Sequence, residues 1–567
     1  MVALLVVANV AAFADPVEEP AAPAPAYDYP LTVTGLSTGD TVKFYQVVEW
    51  VGETADNSDV SGWKAVSPYS NYLTKAVLTS ILVGNPNAEP AVEPTGITSE
   101  ISGELVRLIS GDGETGNVSG GTATLNNPEA GLWMAIVTPA DANTIYNPVF
   151  VAADYNTTTG GTVAMTAAYS DAVAKKSTVT LTKTADNAAD YTGDHAQTTA
   201  IGDTVTFTVT TTIPGYGNIY EHPHFDVVDS LVDLTLNLGS VTVTSPAAEK
   251  GTDYTVTAEG TGYRLSFGEN YLKTIQSATS VTITYTAVVA TTAAKAINEE
   301  DNDVYIEYSH TPTDEDDYDV KKDTTQHYTF TLDAAGLGAG QTVSGLKTSE
   351  LVKVGLDAAG NPILTETQTS AITNTESWEG PLQGARFGLW KNATCTGDAY
   401  LEADTGADGR MTFTGLDAGI YYLKEISAPA GYVTQTAIHT IVISAELEPI
   451  EVTEWWNGST WVSTEPASGT KKEVTYTTEI LKSYSVTVDD VPTATYTFTN
   501  DTTTDNNDIQ WTVLDPEEKP FTLENINGTE LPSTGGMGTT ILYVGGSILV
   551  ILAAVLLITK RRMSADE

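Results

Sequence analysis

Three residue types that seldom share an apolar strand face do so twice in this chain. In Val179-Thr180-Leu181-Thr182-Lys183, the alternation of a strand puts Lys183 on the face of Val179 and Leu181. Asn302 falls on the face of Val304, Ile306 and Tyr308, and Asp229 on that of Phe225 and Val227, with Asp226 the fallback acid. The set recurs as Lys353 in Glu350-Leu351-Val352-Lys353-Val354, Glu425 aligned with Tyr421 and Leu423, and Asn500 aligned with Tyr496 and Phe498. A buried amine, carboxyl and carboxamide are costly unless they satisfy one another. Burial lowers a lysine's pKa and raises a carboxyl's, so both can be neutral in a core. A neutral amine is a nucleophile, and a protonated carboxyl can polarise a carboxamide. Attack then expels ammonia and leaves a Lys–Asn isopeptide bond. Residue types alone leave a second reading open, a salt-bridged lysine–acid pair beside a hydrogen-bonded asparagine.

Other patterns carry less chemistry. Gly111-Asp112-Gly113-Glu114-Thr115-Gly116 has phosphate-loop spacing but no β-α-β context, and reads as a loop. His222-Pro223-His224 offers two metal ligands without an evident third, and Asp314–Asp319 lacks the glycine and glutamate spacing of a calcium loop. No metal, cofactor or enzymatic constellation is expected, and Cys395 reads as inert.

The elements that must position the lysines, acids and asparagines are strands. Thr- and Val-rich alternating runs such as Ser177–Thr182, Thr204–Thr210 and Val281–Thr286 recur between Gly, Asn, Asp and Pro turns. Helical periodicity is confined mainly to Tyr72–Val83 and Glu100–Ile109. The spacing predicts an all-β chain of tandem immunoglobulin-like β-sandwiches. Boundaries fall in the Pro/Ala-rich Ala21–Tyr27, near 172–177, at the acidic Thr313–Asp319 and in the polar run 501–530, giving domains over 27–172, 177–311 and 325–502 and a stalk over 503–530.

The chain has 567 residues, consistent with several domains, and its 73 acids against 26 bases give a net charge of −47. That balance excludes a nucleic-acid partner, which needs clustered Lys and Arg. A hydrophobic content of 41% with 27 tyrosines is too rich for a disordered acidic chain. A single cysteine rules out an intrachain disulfide.

The ends place the chain outside the cell. Residues 2–14 are apolar, too short to span a bilayer, and close on Ala12-Phe13-Ala14, so 1–14 reads as a secretion signal. Ile541–Thr559 is uncharged, long enough for a transmembrane helix, and followed by Lys560, Arg561 and Arg562. Just before it stands Leu531-Pro532-Ser533-Thr534-Gly535. The motif, apolar span and basic tail over 531–567 resemble the cell-wall sorting signal of Gram-positive surface proteins. That resemblance implies cleavage by a sortase between Thr534 and Gly535, with the Thr534 carbonyl passed to an amine.

Further motifs extend the likeness. Gly380-Pro381-Leu382-Gln383-Gly384-Ala385-Arg386-Phe387, Gly415-Leu416-Asp417-Ala418-Gly419-Ile420-Tyr421, Lys424-Glu425 and Ala428-Pro429-Ala430-Gly431-Tyr432 resemble the collagen-adhesin B-type repeat domain. In that family a strand lysine, a glutamate and the asparagine of a final YTFTN strand form the crosslink, which implies Lys353, Glu425 and Asn500 here. The middle segment, with Ile201-Gly202-Asp203-Thr204-Val205, is similar to fimbrial isopeptide-forming domains. The first, with Tyr29-Pro30-Leu31-Thr32-Val33-Thr34-Gly35 and Gly131-Leu132-Trp133, is similar to the N-terminal domain of backbone pilins.

The whole resembles a sortase-assembled backbone (shaft) pilin. The resemblance implies a sortase, further pilin subunits and peptidoglycan as partners, and leaves a host-surface ligand open. The family's Tyr-Pro-Lys-Asn acceptor motif is absent as such, and its place holds Lys175-Lys176, with Lys176 aligned to the acceptor. An insertion over 359–379 departs from the family's strand connection. A singly displayed wall-anchored adhesin or a minor pilin at tip or base is the alternative.

Overall fold

The alternating Thr/Val runs form strands throughout. A computed structural model describes residues 30–528 apart from 53–58, 61, 84–94, 154, 157–161, 164–170, 187–194, 296, 313, 315–317, 338–348, 358, 361–367, 370–376, 379, 501–508 and 514–519, and then 544 and 546–557. The secretion signal and the Leu531–Gly535 motif lie outside the described residues, as does most of the insertion at 359–379.

The first domain pairs a four-stranded sheet, in which Leu31–Thr34 lies between Asp171–Val173 and Thr122–Leu125, with a sheet built on Thr41–Trp50 and Gly131–Thr138. Phe44, Trp133 and Val151 fill the space between the sheets. Two helices, Lys75–Leu82 and Ser99–Arg107, cover the outer face, each opened by a threonine (Thr74, Thr98) that accepts a backbone N–H of the first turn. The domain runs past the expected boundary. Lys176–Thr178 still pairs with Thr144–Tyr146, so Lys175 and Lys176 sit between two short strands that both belong to it.

In the second domain, the Lys183 strand (Leu181–Asp186) edges a sheet with Thr204–Ile213 and Thr279–Val289. The facing sheet carries the Asp229 strand (Phe225–Leu231) beside the Asn302 strand (Ile297–Ser309). Phe207, Val209, Ile283, Tyr285, Val227 and Tyr308 pack between them. A lysine on one inner face therefore meets an acid and an asparagine on the other.

Two expectations need correction at the next junction. The acidic stretch before Tyr318 is no linker: Ile297–Ser309 pairs in unbroken antiparallel register with Tyr318–Leu332, from Ile297↔Phe330 to Ser309↔Tyr318, so the acids form a hairpin turn. The strand Tyr318–Leu332 is shared. Its far end buries Tyr328, Phe330 and Leu332 in the third domain's core and pairs with Phe413–Leu416. The polar run read as a stalk is not one either, since it contains the strands Ile509–Val513 and Phe521–Ile526.

The third domain sets an eight-stranded sheet against the parallel pair Leu351–Leu356 and Phe521–Ile526. Within the large sheet, Ile438–Trp456 and Lys472–Val488 form a long hairpin whose tip turns back along the second domain. There Glu454 Oε2 lies 2.7 Å from Lys322 Nζ, Lys472 reaches Asp319 at 2.9 Å, and Trp456 packs on Tyr305 at 5.3 Å between ring centroids. The tip thus grips the shared strand.

Residues 544 and 546–557 are helical and exposed. Among the described residues no helix is long and apolar enough to cross a membrane.

Candidate functional site

Among the described residues three lysines are buried, Lys183, Lys322 and Lys353, and their surroundings divide them. Lys322 lies 3.0 Å from Asp303 and 2.7 Å from Glu454. Its burial alone would favour the neutral amine, but the two carboxylates raise its pKa, so it stays an ammonium. The other two lysines are shifted the opposite way.

Lys183 is fully buried, and its Nζ donates to Asp229 Oδ2 at 2.7 Å. Burial lowers the lysine and raises the acid, in each case outweighing their mutual attraction, so the pair is pushed toward amine and carboxylic acid. Phe207 and Tyr285 flank the amine, with ring centroids 5.5 and 5.7 Å from Nζ. Asn302 is fully buried, and its Nδ2 donates to the Tyr285 hydroxyl at 2.8 Å. That hydroxyl donates in turn to Asp229 Oδ2 at 2.7 Å. Asp229 Oδ1 and Asn302 Oδ1 are buried without a hydrogen-bond partner, which is the need a carboxyl proton would meet. Asp226, the fallback acid, is occupied elsewhere by Arg264 at 2.8 Å.

The third-domain cluster has a different membership from the one expected. Lys353 Nζ donates to the side-chain oxygen of Asn525 in a very short contact and lies 3.4 Å from Glu425 Oε1. Asn525 Nδ2 donates to the same Glu425 oxygen at 2.8 Å, and Glu425 Oε2 accepts the Gln435 backbone N–H at 2.6 Å. Burial brings the Lys353 amine down to about 8 against the pull of Glu425, with the Phe387 ring centroid 5.4 Å away. Asn500 is not the partner. Its strand, Val491–Asn500, pairs within the large sheet with Lys472–Val488 and Ile509–Val513, whereas the Lys353 strand pairs only with Phe521–Ile526. The parallel register sets Asn525 beside Gly355, two positions past Lys353 and on its face.

Sequence reasoning missed two participants. Asn525 had a signal, because Phe521, Leu523 and Asn525 alternate as a short strand does, and the last two are buried. Tyr285 had none, since a tyrosine on an alternating strand reads as core.

Of the two candidate acceptor lysines, both are exposed, but only Lys176 has its amine held, by Ser37 Oγ at 3.1 Å. Asp40 is partly shielded there, yet hydrogen bonds from Tyr146, Ala140 and Ser37 overcome burial and keep its carboxyl below the usual range. Lys175 borders a cavity of about 360 Å³ with Val173, Pro148 and Ile97.

The weaker motifs stay weak. Gly111–Gly116 leads into a short strand, Glu114–Thr115. His222 turns to Glu269, and the ligand-like group His224, Asp226 and Glu307 already holds the Arg264 guanidinium on its two acids. Cys395 is buried.

Comparison with known proteins agrees with this architecture. The model of the SpaA prealbumin-like fold domain matches residues 368–455, and that of the LPXTG cell-wall anchor motif matches 524–564. The trypsin-resistant surface T6 protein of Streptococcus pyogenes serotype M6 is 27% identical over 576 aligned residues, covering 94% of each chain. The solved T6 backbone pilin of that serotype, described as modular and three-domain, superposes with a TM-score of 0.50 at 20% identity, covering 88% of this chain and 98% of its own. With a wall-anchor motif at its C-terminal end, a prealbumin-like domain before it and full-length likeness to the T6 protein in both sequence and fold, the chain is a sortase-anchored pilus subunit of the backbone-pilin type.

Proposed function

We propose that this subunit polymerises head to tail, the Thr534 carbonyl of one copy joining the Lys176 amine of the next, and that each copy is fixed internally by Lys183–Asn302 and Lys353–Asn525 isopeptide bonds. The finished polymer is attached to peptidoglycan, after the apolar segment 541–559 has held the chain transiently in the membrane. The observation that carries the internal bonds is the contact of a buried, pKa-depressed Lys353 amine with the Asn525 carboxamide, under a carboxyl that touches both. Attack of Nζ on Cγ forms the amide, breaks Cγ–Nδ2 and releases ammonia, with Glu425 carrying the proton from amine to leaving nitrogen. For the external bond, the Ser37 hydrogen bond favours Lys176 over Lys175 as the presented amine.

The test is a denaturing gel of wall extracts. Wild type should give a sortase-dependent ladder. Lys176→Arg should collapse it to wall-anchored monomer, because arginine keeps the charge but stays protonated, and Lys175→Arg should leave it intact. A full ladder from Lys176→Arg would refute the assignment of the acceptor.

A further inference from the structure

The two clusters differ in how the acid reaches the leaving group. In the third domain one oxygen of Glu425 contacts both the amine and Asn525 Nδ2. In the second domain, among the described residues, the acid does not bond the asparagine; the Tyr285 hydroxyl stands between them. An unbroken chain of hydrogen bonds results, from Lys183 Nζ to Asp229 Oδ2 at 2.7 Å, from there to Tyr285 Oη at 2.7 Å, and from Tyr285 Oη to Asn302 Nδ2 at 2.8 Å. Its two ends are the nucleophile and the leaving nitrogen.

We propose that Tyr285 is a catalytic proton relay of the second domain's isopeptide reaction, handing the leaving nitrogen of Asn302 the proton that Asp229 takes from Lys183. This rests on the crosslink reading above. As Nζ bonds to Asn302 Cγ, the amine becomes cationic and gives a proton to Asp229 Oδ2. Asp229 Oδ2 returns a proton to the Tyr285 oxygen while the Tyr285 O–H proton passes to Nδ2. Cγ–Nδ2 then breaks and ammonia leaves. One proton has moved from Nζ to Nδ2, Asp229 and Tyr285 end as they began, and nothing is oxidised or reduced.

Two features suit the phenol to this role. Burial, with the Asp229 charge adding to it, raises Tyr285 far above its ordinary pKa, so the hydroxyl remains a donor throughout. Its ring is also fixed, stacked on Phe207 at 5.0 Å between centroids and 18° between planes. Aspartate is one methylene shorter than glutamate, and the hydroxyl fills the gap that Glu425 spans by itself.

The experiment is peptide mapping of purified full-length protein, sampled over time after synthesis, with the third-domain bond as the internal standard. Tyr285→Phe keeps the stacked ring and removes the relay. It should slow the Lys183–Asn302 bond by about 100-fold or more, the usual scale of a lost general acid, while Lys353–Asn525 forms as in wild type. Tyr285→Phe combined with Asp229→Glu should restore the bond, because the longer acid reaches Asn302 directly. Bond formation at the wild-type rate in Tyr285→Phe overturns the relay, and so does failure of the longer acid to rescue it. A wild type lacking the Lys183–Asn302 branched peptide overturns the crosslink reading itself, an outcome distinct from both.

Discussion

The second and third domains put the same functional groups to the same use from different scaffolds. In the second, lysine and asparagine come from opposite sheets, and the cluster closes across the sandwich through Asp229 and Tyr285. In the third, they come from neighbouring parallel strands, one opening the domain and one closing it, and Glu425 alone touches both. What the sites share is not topology but a dry, aromatic-walled pocket that favours neutral forms of amine and acid. Lys322 shows the converse. It is as buried as they are, but two carboxylates keep it charged, and it serves as a strut.

The difference has a mechanical consequence. With both bonds formed, tension between Lys176 and Thr534 passes from Lys183 to Asn302 and from Lys353 to Asn525, so most of each sandwich lies off the path. The stretch from Asn302 to Lys353 stays on it, and there the hairpin tip holds the shared strand through Lys322–Glu454 and Lys472–Asp319.

The largest expected effect is all-or-none. Asp229→Ala should abolish the second-domain bond and spare the third, and Glu425→Ala should do the reverse, each read as the return of one ammonia to the intact mass. Loss of both bonds from either change would mean that the clusters are not independent.

Next come the stabilities. Asn525→Ala opens a loop with a sequence separation of 172, and Asn302→Ala opens one of about 119, which by loop-closure entropy is about 5 kcal/mol in each case. The logarithmic dependence makes the two losses differ by only a few tenths of a kcal/mol. Calorimetry and protease resistance should show each domain weakened by its own mutation. Asn500→Ala should leave the third-domain bond in place, and its loss in that variant would restore the YTFTN assignment.

A smaller effect belongs to the hairpin. Glu454→Gln removes one of two anions from the buried Lys322, and should loosen the tip by about 1–3 kcal/mol, seen as faster backbone hydrogen exchange at 452–456 and 472–476. Unchanged exchange there would deny the tip its role as a clamp.

The smallest is a pH slope. In Asn525→Ala the Lys353 amine survives, held near 8 in the folded chain against 10.5 when free. The unfolded chain then binds more protons between those values, so this variant should gain stability as pH rises from about 8 to 10.5 and be insensitive, through this group, below 8. Denaturant titrations against Asn525→Ala/Lys353→Met isolate the term. A slope of the opposite sign would mean that burial does not depress the amine.

Much of this was legible in the sequence, for a simple reason. A charged or amide residue in the apolar register of a strand is conspicuous, so Lys183, Asp229, Asn302, Lys353 and Glu425 stood out. The all-β architecture and both helices followed from periodicity alone. Asn525 was hidden because its strand is short and lies among polar residues that resemble a stalk, while the YTFTN strand offered a better-looking asparagine. The acids before Tyr318 looked like a linker because a run of like charge disfavours packing, yet a hairpin turn exposes them equally well. The contacts of Lys322 depend on a hairpin tip more than a hundred positions away in sequence, |i−j| = 132 for Glu454, and no local pattern encodes that.

The central claim is the identity of the paired residues, and tandem mass spectrometry of a protease digest of the mature wild-type protein tests it most directly. Two branched peptides are expected, one joining Lys183 to Asn302 and one joining Lys353 to Asn525, each lighter than its linear parts by one ammonia. Linear peptides carrying free Lys183, Lys353, Asn302 and Asn525 side chains, at full sequence mass, would contradict the account.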